Sequence, residues 1–563
     1  MSELDRLRDG RTELENHYID ELVSGHISRR DFIRNGSMIG MSTTLLGAVL
    51  AACGSSSSTK TTAASGGTTS TSSGPVTKGG TLRIGAVAPA AAVNPLTVSD
   101  AGGLLMLNQT GEFLIFDSNL KLELQPMLAL SWSPNADGSV WTFKLRPGVK
   151  FHNGAPMTAA DVVYTFQQLS DPKNASNALS AFAGVLTPSG VKMVDSMTVA
   201  FNLEAPNGNF PYLVSSDNYN AIIVPNGTDF GKWQSTFIGT GAFILSKYTQ
   251  NVGASFVPNP NYWGAKALLD STTFNFYMSQ QPMILALQGQ SVDVIAQFTP
   301  SGAAAILNSP SYKIISLKSA NHRELSMRND IAPFTDARVR QAVAYTLDRP
   351  GAVSALLSGK GTVANDYPFG PRFPSTDTSV PQRTQNISMA KSLLAAAGHP
   401  NGFSTTLKTE QYQEIPQLAQ VIVQDAAQAG IKITADVETQ TLYYGKSTYG
   451  NSDWLDGTMS LVDYGDRGVP NVYLTAPLTS SGTWNAARFK NSQYDQLVKQ
   501  YVAALDLSAQ RAVAGKIQRL LLAETPIVYP YWIDGLTAST PSVNGLNPTS
   551  IAQLYLNTAY KSA

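Results

Sequence analysis

The stretch WTFKLRPGVKFHNGAPMTAADVVYTFQQLSDP, residues 141–172, decides the fold. Trp141, Phe143 and Leu145 alternate with Thr142, Lys144 and Arg146, the two-residue period of a strand with one buried face. Pro147 and Gly148 make a turn, because proline presets φ and glycine tolerates positive φ. Val149, Lys150 and Phe151 read as a short second strand, and Asn153-Gly154 turns the chain again. Thr158 stands where a helix N-cap is expected. Asp161, three residues on, puts a carboxylate in the first turn, near the positive end of the helix dipole. Val162, Val163 and Phe166 give that helix an apolar face, and Asp171-Pro172 stops it. The unit is strand, strand, capped helix, a piece of α/β core.

The wording of the same stretch resembles the signature segment of the family 5 solute-binding proteins, the extracytoplasmic receptors of peptide, nickel and opine ABC importers. The resemblance rests on Leu145-Arg146, Gly148-Val149-Lys150-Phe151-His152, Gly154 and the run Thr158 to Val163. It implies a type II periplasmic-binding-protein-like α/β fold, of the large class with an extra subdomain. Two lobes then enclose a ligand cleft and close on a hinge around the solute. The resemblance extends over nearly all of Gly79 to Pro548. It divides the body into a first lobe built from 80–111, 226–315 and 523–563, an extra subdomain at 112–225, and a second lobe at 316–522.

The chain has 563 residues, too many for a single core. Lys+Arg and Asp+Glu are 40 each, a formal net charge of +0. That balance argues against a nucleic-acid partner, which calls for a basic excess. A single Cys excludes a disulfide framework and a cysteine-based zinc site.

That Cys closes an N-terminal pattern. Ser28-Arg29-Arg30-Asp31-Phe32-Ile33-Arg34 resembles a twin-arginine export signal around Arg29 and Arg30. The uncharged run Asn35 to Leu50 is shorter than the ~20 apolar residues that span a bilayer, so it reads as a signal h-region. Leu50-Ala51-Ala52-Cys53 resembles a lipobox, with acylation at Cys53 and cleavage before it. Residues 1–52 are then a signal peptide. Residues 53–79, rich in Ser, Thr and Gly, are a flexible tether that buries too little to offset its ordering entropy. The expected location is the outer face of the cytoplasmic membrane, held by lipid, with a monomeric body working beside an ABC permease and its ATPase.

Several landmarks of the body repeat the family resemblance. Thr81 to Gly85 is an opening strand. Phe113 to Pro126 reads as strand, turn, strand, leading to an apolar helix at Met127 to Ser131. Gly239-Thr240-Gly241 resembles a family turn and lacks the Lys of a phosphate-binding loop. Pro333 to Tyr345 carries a helix with Val339, Val343 and Leu347 on one stripe, whose Arg338 and Arg340 read as bracing rather than ligand-binding. Leu418 to Ala427 is a helix, and Gly430 leads into a strand. Pro526 to Tyr531 is a closing strand that returns to the first lobe.

The candidate binding residues follow from this framework. The apolar strand beginning at Thr458 ends in Asp463-Tyr464-Gly465-Asp466, and strand ends of open α/β sheets are where ligands collect. In peptide-binding relatives the first aspartate of this segment pairs with the ligand's ammonium group, which implies that role for Asp463. Ser460 stands where those relatives carry tryptophan, and Arg467 where they carry proline. Tyr464 and Trp484 supply flat walls of the usual pocket type, and Asn485 belongs to the same late loop. Arg328 occupies a position near the hinge where relatives carry a neutral residue, and is expected to face the cleft. No catalytic residue, metal site or cofactor is implied. The five His are scattered, with none of the close spacing of a metal site, and no nucleophile elbow is present. The implied ligand is a dipeptide or oligopeptide. The alternatives are a sugar, an opine, a nickel chelate or haem. A lipid-tethered hydrolase and an adhesion lipoprotein are the readings from other classes.

Overall fold

The computed structural model describes residues 78–118 and 123–562, together with Asn16, Ile19 and Leu22. Arg29, Arg30, Cys53 and nearly all of the tether lie outside the described residues. Everything below concerns the body within Ser73–Ala563.

The opening stretch forms its expected first strand and capped helix, but Val149 to Phe151, read as a second strand, makes only an isolated bridge between Lys150 and Pro156. Val140–Leu145 is a strand with Trp141, Phe143 and Leu145 buried. It lies between Ala129–Pro134 and Thr198–Asn202, and Val191–Asp195 completes a four-stranded antiparallel sheet. The helix Ala159–Ser170 packs Val162, Phe166 and Leu169 into this sheet's core. At its start the Asp161 carboxylate accepts from the Thr158 backbone N–H at 2.7 Å and from the Thr158 hydroxyl at 3.0 Å. Its second oxygen takes the Asn226 N–H at 2.8 Å. Asp161→Ala therefore leaves three donors short of a charged acceptor. Urea unfolding is expected to show a loss of about 2 kcal/mol, between a lost cap and a lost charge-assisted network.

One expectation changes here. Met127 to Ser131 reads as an apolar helix, but the segment forms the strand Ala129–Pro134. Its register shifts between Ala129 and Ser131 against the neighbouring strand. Met127 and Leu128 form the bend before this strand and are buried together with Ala129, so three buried residues in succession hide the two-residue period from the sequence.

The two large sheets define the lobes. The first runs in the order Lys313–Leu317, Gly535–Ser539, Val294–Phe298, Thr81–Val87, Ser271–Tyr277, Gly253–Pro258, Phe243–Thr249. Thr81–Val87 is parallel to both its neighbours, while the rest pair antiparallel. The second sheet runs Gly361–Val363, Tyr531–Ile533, His322–Met327, Met459–Tyr464, Ser404–Glu410, Lys432–Glu438, with Ile527–Val528 also on His322–Met327. Leu325, Met459, Leu461 and Val528 carry one core of this lobe, with the helices Ala337–Thr346 and Ile415–Ala427 against them.

The closing strands also correct the expected boundary. Ile527–Val528 and Tyr531–Ile533 belong to the second sheet, and the chain returns to the first only at Asp534. Buried Arg349 fixes this local path. Its guanidinium donates to the Tyr529 carbonyl at 3.0 Å and pairs with Asp366 at 2.6 Å, and Asp366 in turn accepts from the Tyr529 N–H. Arg338 and Arg340 brace their helix. Arg338 pairs with Asp336, and Arg340 donates to the carbonyls of Phe334 and Glu524.

Two segments cross between the lobes side by side, the first after Leu317 and the second at Asp534. The Asp534 carboxylate accepts from Ser316 at 2.7 Å and Lys318 at 3.1 Å, and the Ile533 N–H donates to Asn321 at 2.8 Å. The turn at Gly239 and Gly241 is held against the backbone of Gln109 and Thr110. A Cβ on Gly239 would lie 2.0 Å from the Thr110 carbonyl oxygen.

Candidate functional site

Between the lobes lies a cleft of about 920 Å³, within the size range of small-molecule sites. The first lobe contributes Leu104, Leu105, Met283, Gln297 and Phe298, and the second contributes Arg323, Tyr412, Asp463 and Arg467. The crossing residues Asn321, Ile533 and Asp534 form part of the wall.

Asp463 is the penultimate residue of the strand Met459–Tyr464, directly opposite Arg323 in the antiparallel register. It is half-buried and lines the cleft. Arg323 does not neutralise it by contact, because its guanidinium is committed to Glu414 at 2.9 and 3.1 Å and to Gln413 at 2.8 Å. The Tyr444 hydroxyl lies 2.9 Å from Asp463 Oδ1 and 2.9 Å from Glu410 Oε1. One O–H donates to one acceptor at a time, so two carboxyls compete for it. Burial, and then the negative charge of Asp463, push the Glu410 carboxyl up to about 7. Gln440 donates to the other Glu410 oxygen at 2.7 Å. Glu410 ends the strand Ser404–Glu410, which runs parallel to Met459–Tyr464. Two parallel strand ends thus deliver two acids side by side, Asp463 on the cleft wall and Glu410 buried behind it.

The other sequence-derived candidates lie elsewhere. Tyr464 follows Asp463 and points to the opposite face of the sheet. It is buried, its ring stacking on His322 at 5.4 Å between centroids. Trp484 packs on Trp454 and Tyr464, behind the cleft wall. Asn485 is buried and holds its own loop together, donating to Thr479 and Phe489 carbonyls and accepting from the Phe489 N–H. Arg328 forms a two-pronged pair with Asp330 at 2.7 and 2.8 Å and donates to the Asp456 carbonyl. It takes no part in lining the cleft. An arginine so placed is costly without a partner, and Asp330 supplies one.

Beside the cleft, buried Arg372 joins the second lobe to the extra subdomain. Its guanidinium lies 2.7 Å from Asp466 of its own lobe, 3.0 Å from Asp117 and 2.5 Å from Asp217 of the other. Burial and the adjacent Asp117 hold the Asp217 carboxyl well above the usual range. Asp466 also accepts from the Ala320 N–H at 2.6 Å, which ties the cluster to the crossing segment. Among the described residues, no helix is long and apolar enough to cross a membrane.

Sequence and structure comparisons place this architecture. Heme-binding protein A of Haemophilus influenzae is 27% identical over 456 residues, covering 75% of this chain and 81% of its own. Periplasmic murein peptide-binding protein MppA of Escherichia coli is 26% identical over 468 residues, covering 76% and 85%. The structure of HbpA2 from Haemophilus parasuis superposes with a TM-score of 0.75 at 23% identity, over 86% of this chain and all of that one (100%). The family described as bacterial extracellular solute-binding proteins, family 5 (middle), matches residues 123–486. With that match spanning well over half of its length, the chain belongs to the family 5 extracellular solute-binding proteins.

Proposed function

We propose that this protein captures a short peptide, or a closely similar amine-bearing solute, in the cleft between its lobes and delivers it to the permease of an ABC importer. The observation that carries the reading is Asp463, an acid on the cleft wall, backed by the buried Glu410 with which it shares the single Tyr444 hydroxyl. An ammonium group satisfies Asp463 with charge-assisted hydrogen bonds, which are about twice as strong as neutral ones, and gains from the second acid buried behind it. The apolar lining from Leu104, Leu105 and Phe298 suits side chains of mixed character. No histidine lines the cleft among the described residues, which favours a peptide over a haem or nickel ligand. Binding without catalysis is the proposed role, in keeping with the solute-binding family that the chain matches.

The order of Arg29, Arg30 and Cys53 supports an exported, lipid-anchored monomer. The permease and ATPase supply the membrane passage that the described body lacks.

Hinge closure is the measurable consequence. Small-angle scattering of the body with an equimolar tripeptide mixture is expected to show a smaller radius of gyration than without it, with native mass spectrometry showing one bound peptide. An unchanged radius with no peptide bound overturns the reading.

A further inference from the structure

Five Asn-Gly pairs lie among the described residues, beginning at Asn153, Asn207, Asn226, Asn401 and Asn544. Such a pair is chemically fragile. Glycine has no Cβ to hinder the approach of its own nitrogen to the preceding asparagine side chain. The reaction needs a free glycine N–H, a free asparagine amide and water, and the fold supplies these unequally.

Four pairs are guarded. The Gly154 N–H donates to the Phe151 carbonyl at 2.8 Å, and Asn153 Oδ1 accepts from the Ala155 N–H at 3.1 Å. Asn207 is 2% exposed, and the Gly208 N–H donates to the Val502 carbonyl at 2.8 Å. Asn401 is exposed, but the Gly402 N–H donates to the His399 carbonyl at 2.9 Å. The Asn544 amide is held at both ends, donating to the Ser542 carbonyl at 2.9 Å and accepting from Lys313 Nζ at 2.9 Å. Asn226 and Gly227 are both exposed. Among the described residues, neither the Gly227 N–H nor the Asn226 side chain has a hydrogen-bond partner. A surface hollow of about 250 Å³ is lined by Asn153 and Asn226 alike, so access to water does not separate these two, and hydrogen bonding does.

The surroundings of Asn226 give the reaction a structural consequence. Pro225 to Thr228 is a tight turn, closed by the Thr228 N–H on the Pro225 carbonyl at 3.1 Å, with Gly227 at φ +82°. It is tied twice to the helix Ala159–Ser170. The Asn226 N–H donates to Asp161 at 2.8 Å, and the Tyr164 hydroxyl donates to the Thr228 carbonyl at 2.7 Å.

We infer that Asn226-Gly227 is a site of spontaneous deamidation, converting to aspartate and isoaspartate ahead of the other four pairs. Hydroxide takes the Gly227 amide proton, and the nitrogen bonds to Asn226 Cγ. The Cγ–Nδ2 bond breaks, and ammonia leaves with a proton from water. Water then opens the five-membered imide at either carbonyl. One opening gives aspartate, and the other gives isoaspartate, with the backbone routed through Cβ and Cγ. The net change is one water consumed and one ammonia released, with no oxidation or reduction. Isoaspartate adds one carbon to the backbone of the turn and a new carboxylate next to that of Asp161. Both changes loosen the turn from the helix, since like charges repel at this range.

The test holds the full-length protein in mildly alkaline buffer, folded in one sample and unfolded in urea in the other. Proteolysis and mass spectrometry follow the five peptides over time. In the folded sample the Asn226 peptide is expected to gain one mass unit at least about fivefold faster than any of the others, the rate factor of one protecting hydrogen bond. In urea the five rates are expected to converge. A guarded pair that reacts as fast as Asn226 in the folded protein, or no conversion at Asn226, overturns the inference. So does a spread in urea as wide as that in the folded protein. The Asn226→Gln variant gives a second reading, because ring closure through the longer side chain is slow. The aged unaltered protein should lose melting temperature in step with its converted fraction, while aged Asn226→Gln keeps its own. Equal losses in both overturn the link between this site and the turn.

Discussion

Arg372→Met is expected to lower the stability of the folded body by about 3–5 kcal/mol, the cost of removing one partner from a buried ionic cluster. The reason is arithmetic of charge at one place. Among the described residues, Arg372 is the cation that pairs with Asp117, Asp217 and Asp466, all buried. Methionine fills most of the volume, so the loss is electrostatic rather than a cavity. Differential scanning calorimetry at neutral and acid pH checks it. Asp217 is already held above the ordinary carboxyl range, so the folded body binds protons there that the unfolded chain has released. Its contribution to stability is therefore present at low pH and lost as pH rises through the folded value. Without the guanidinium the cluster takes up protons more readily still, and the deficit of Arg372→Met should shrink as pH falls. Adding Asp217→Asn should recover part of it. A deficit below about 1 kcal/mol at neutral pH would mean that the three carboxylates find other partners.

Asp463→Ala is expected to weaken binding of an amine-bearing ligand by about tenfold to a hundredfold, as deletion of one charge-assisted contact does. Stability should change little, because the side chain faces an open cleft. The companion change follows from the Glu410 carboxyl. Its value of about 7 rests first on burial and next on the charge of Asp463. Removing Asp463 lets the buried Glu410 ionise more easily, which restores part of the negative charge behind the site. The double variant Asp463→Ala/Glu410→Gln should therefore lose more than either single change.

The same coupling gives a pH profile. An ammonium held at Asp463 favours the charged form of the buried Glu410 behind it, so binding near neutral pH releases a proton. Affinity rises as pH climbs through about 7, until an α-amino ligand itself loses its charge near pH ~8. For the ligand-free protein the sign is opposite. A raised carboxyl value stabilises the fold below it, and that support is lost as pH rises through about 7. Calorimetry in two buffers of different ionisation heat measures the released proton. No release, together with unchanged affinity in Asp463→Ala, would remove the acid pair from the site.

Much of this was legible in the residues. The phrase at 141–172 sets the α/β framework because turns, strand period and helix cap agree there. Asp463 was legible as a strand-end acid. Tyr464 was misplaced for a reason that the strand itself supplies: neighbours on a strand face opposite sides, so a cleft-facing Asp463 sends Tyr464 into the core. Glu410 closes a mostly polar strand, STTLKTE, without the apolar run that marks Asp463, and only the parallel pairing of the two strands brings the acids together. Asp330, two residues after Arg328, already offered the partner that draws Arg328 away. The bulge near Ala129 and the crossing at Asp534 depend on long-range pairing, which no local pattern encodes.

The strand Gly535–Ser539 fills a slot between Val294–Phe298 and Lys313–Leu317. Its Thr537 hydroxyl reaches the Ala296 carbonyl across 241 residues of chain, and further on Leu554 reaches Asn108 across 446. During synthesis the first lobe therefore waits, with two bare strand edges facing each other, until nearly the last residues have left the ribosome. Such edges invite pairing with other chains. The final thirty or so positions act as a keystone: a chain broken off before Gly535 has made almost all of its sequence and can complete neither the first sheet nor the second crossing between the lobes.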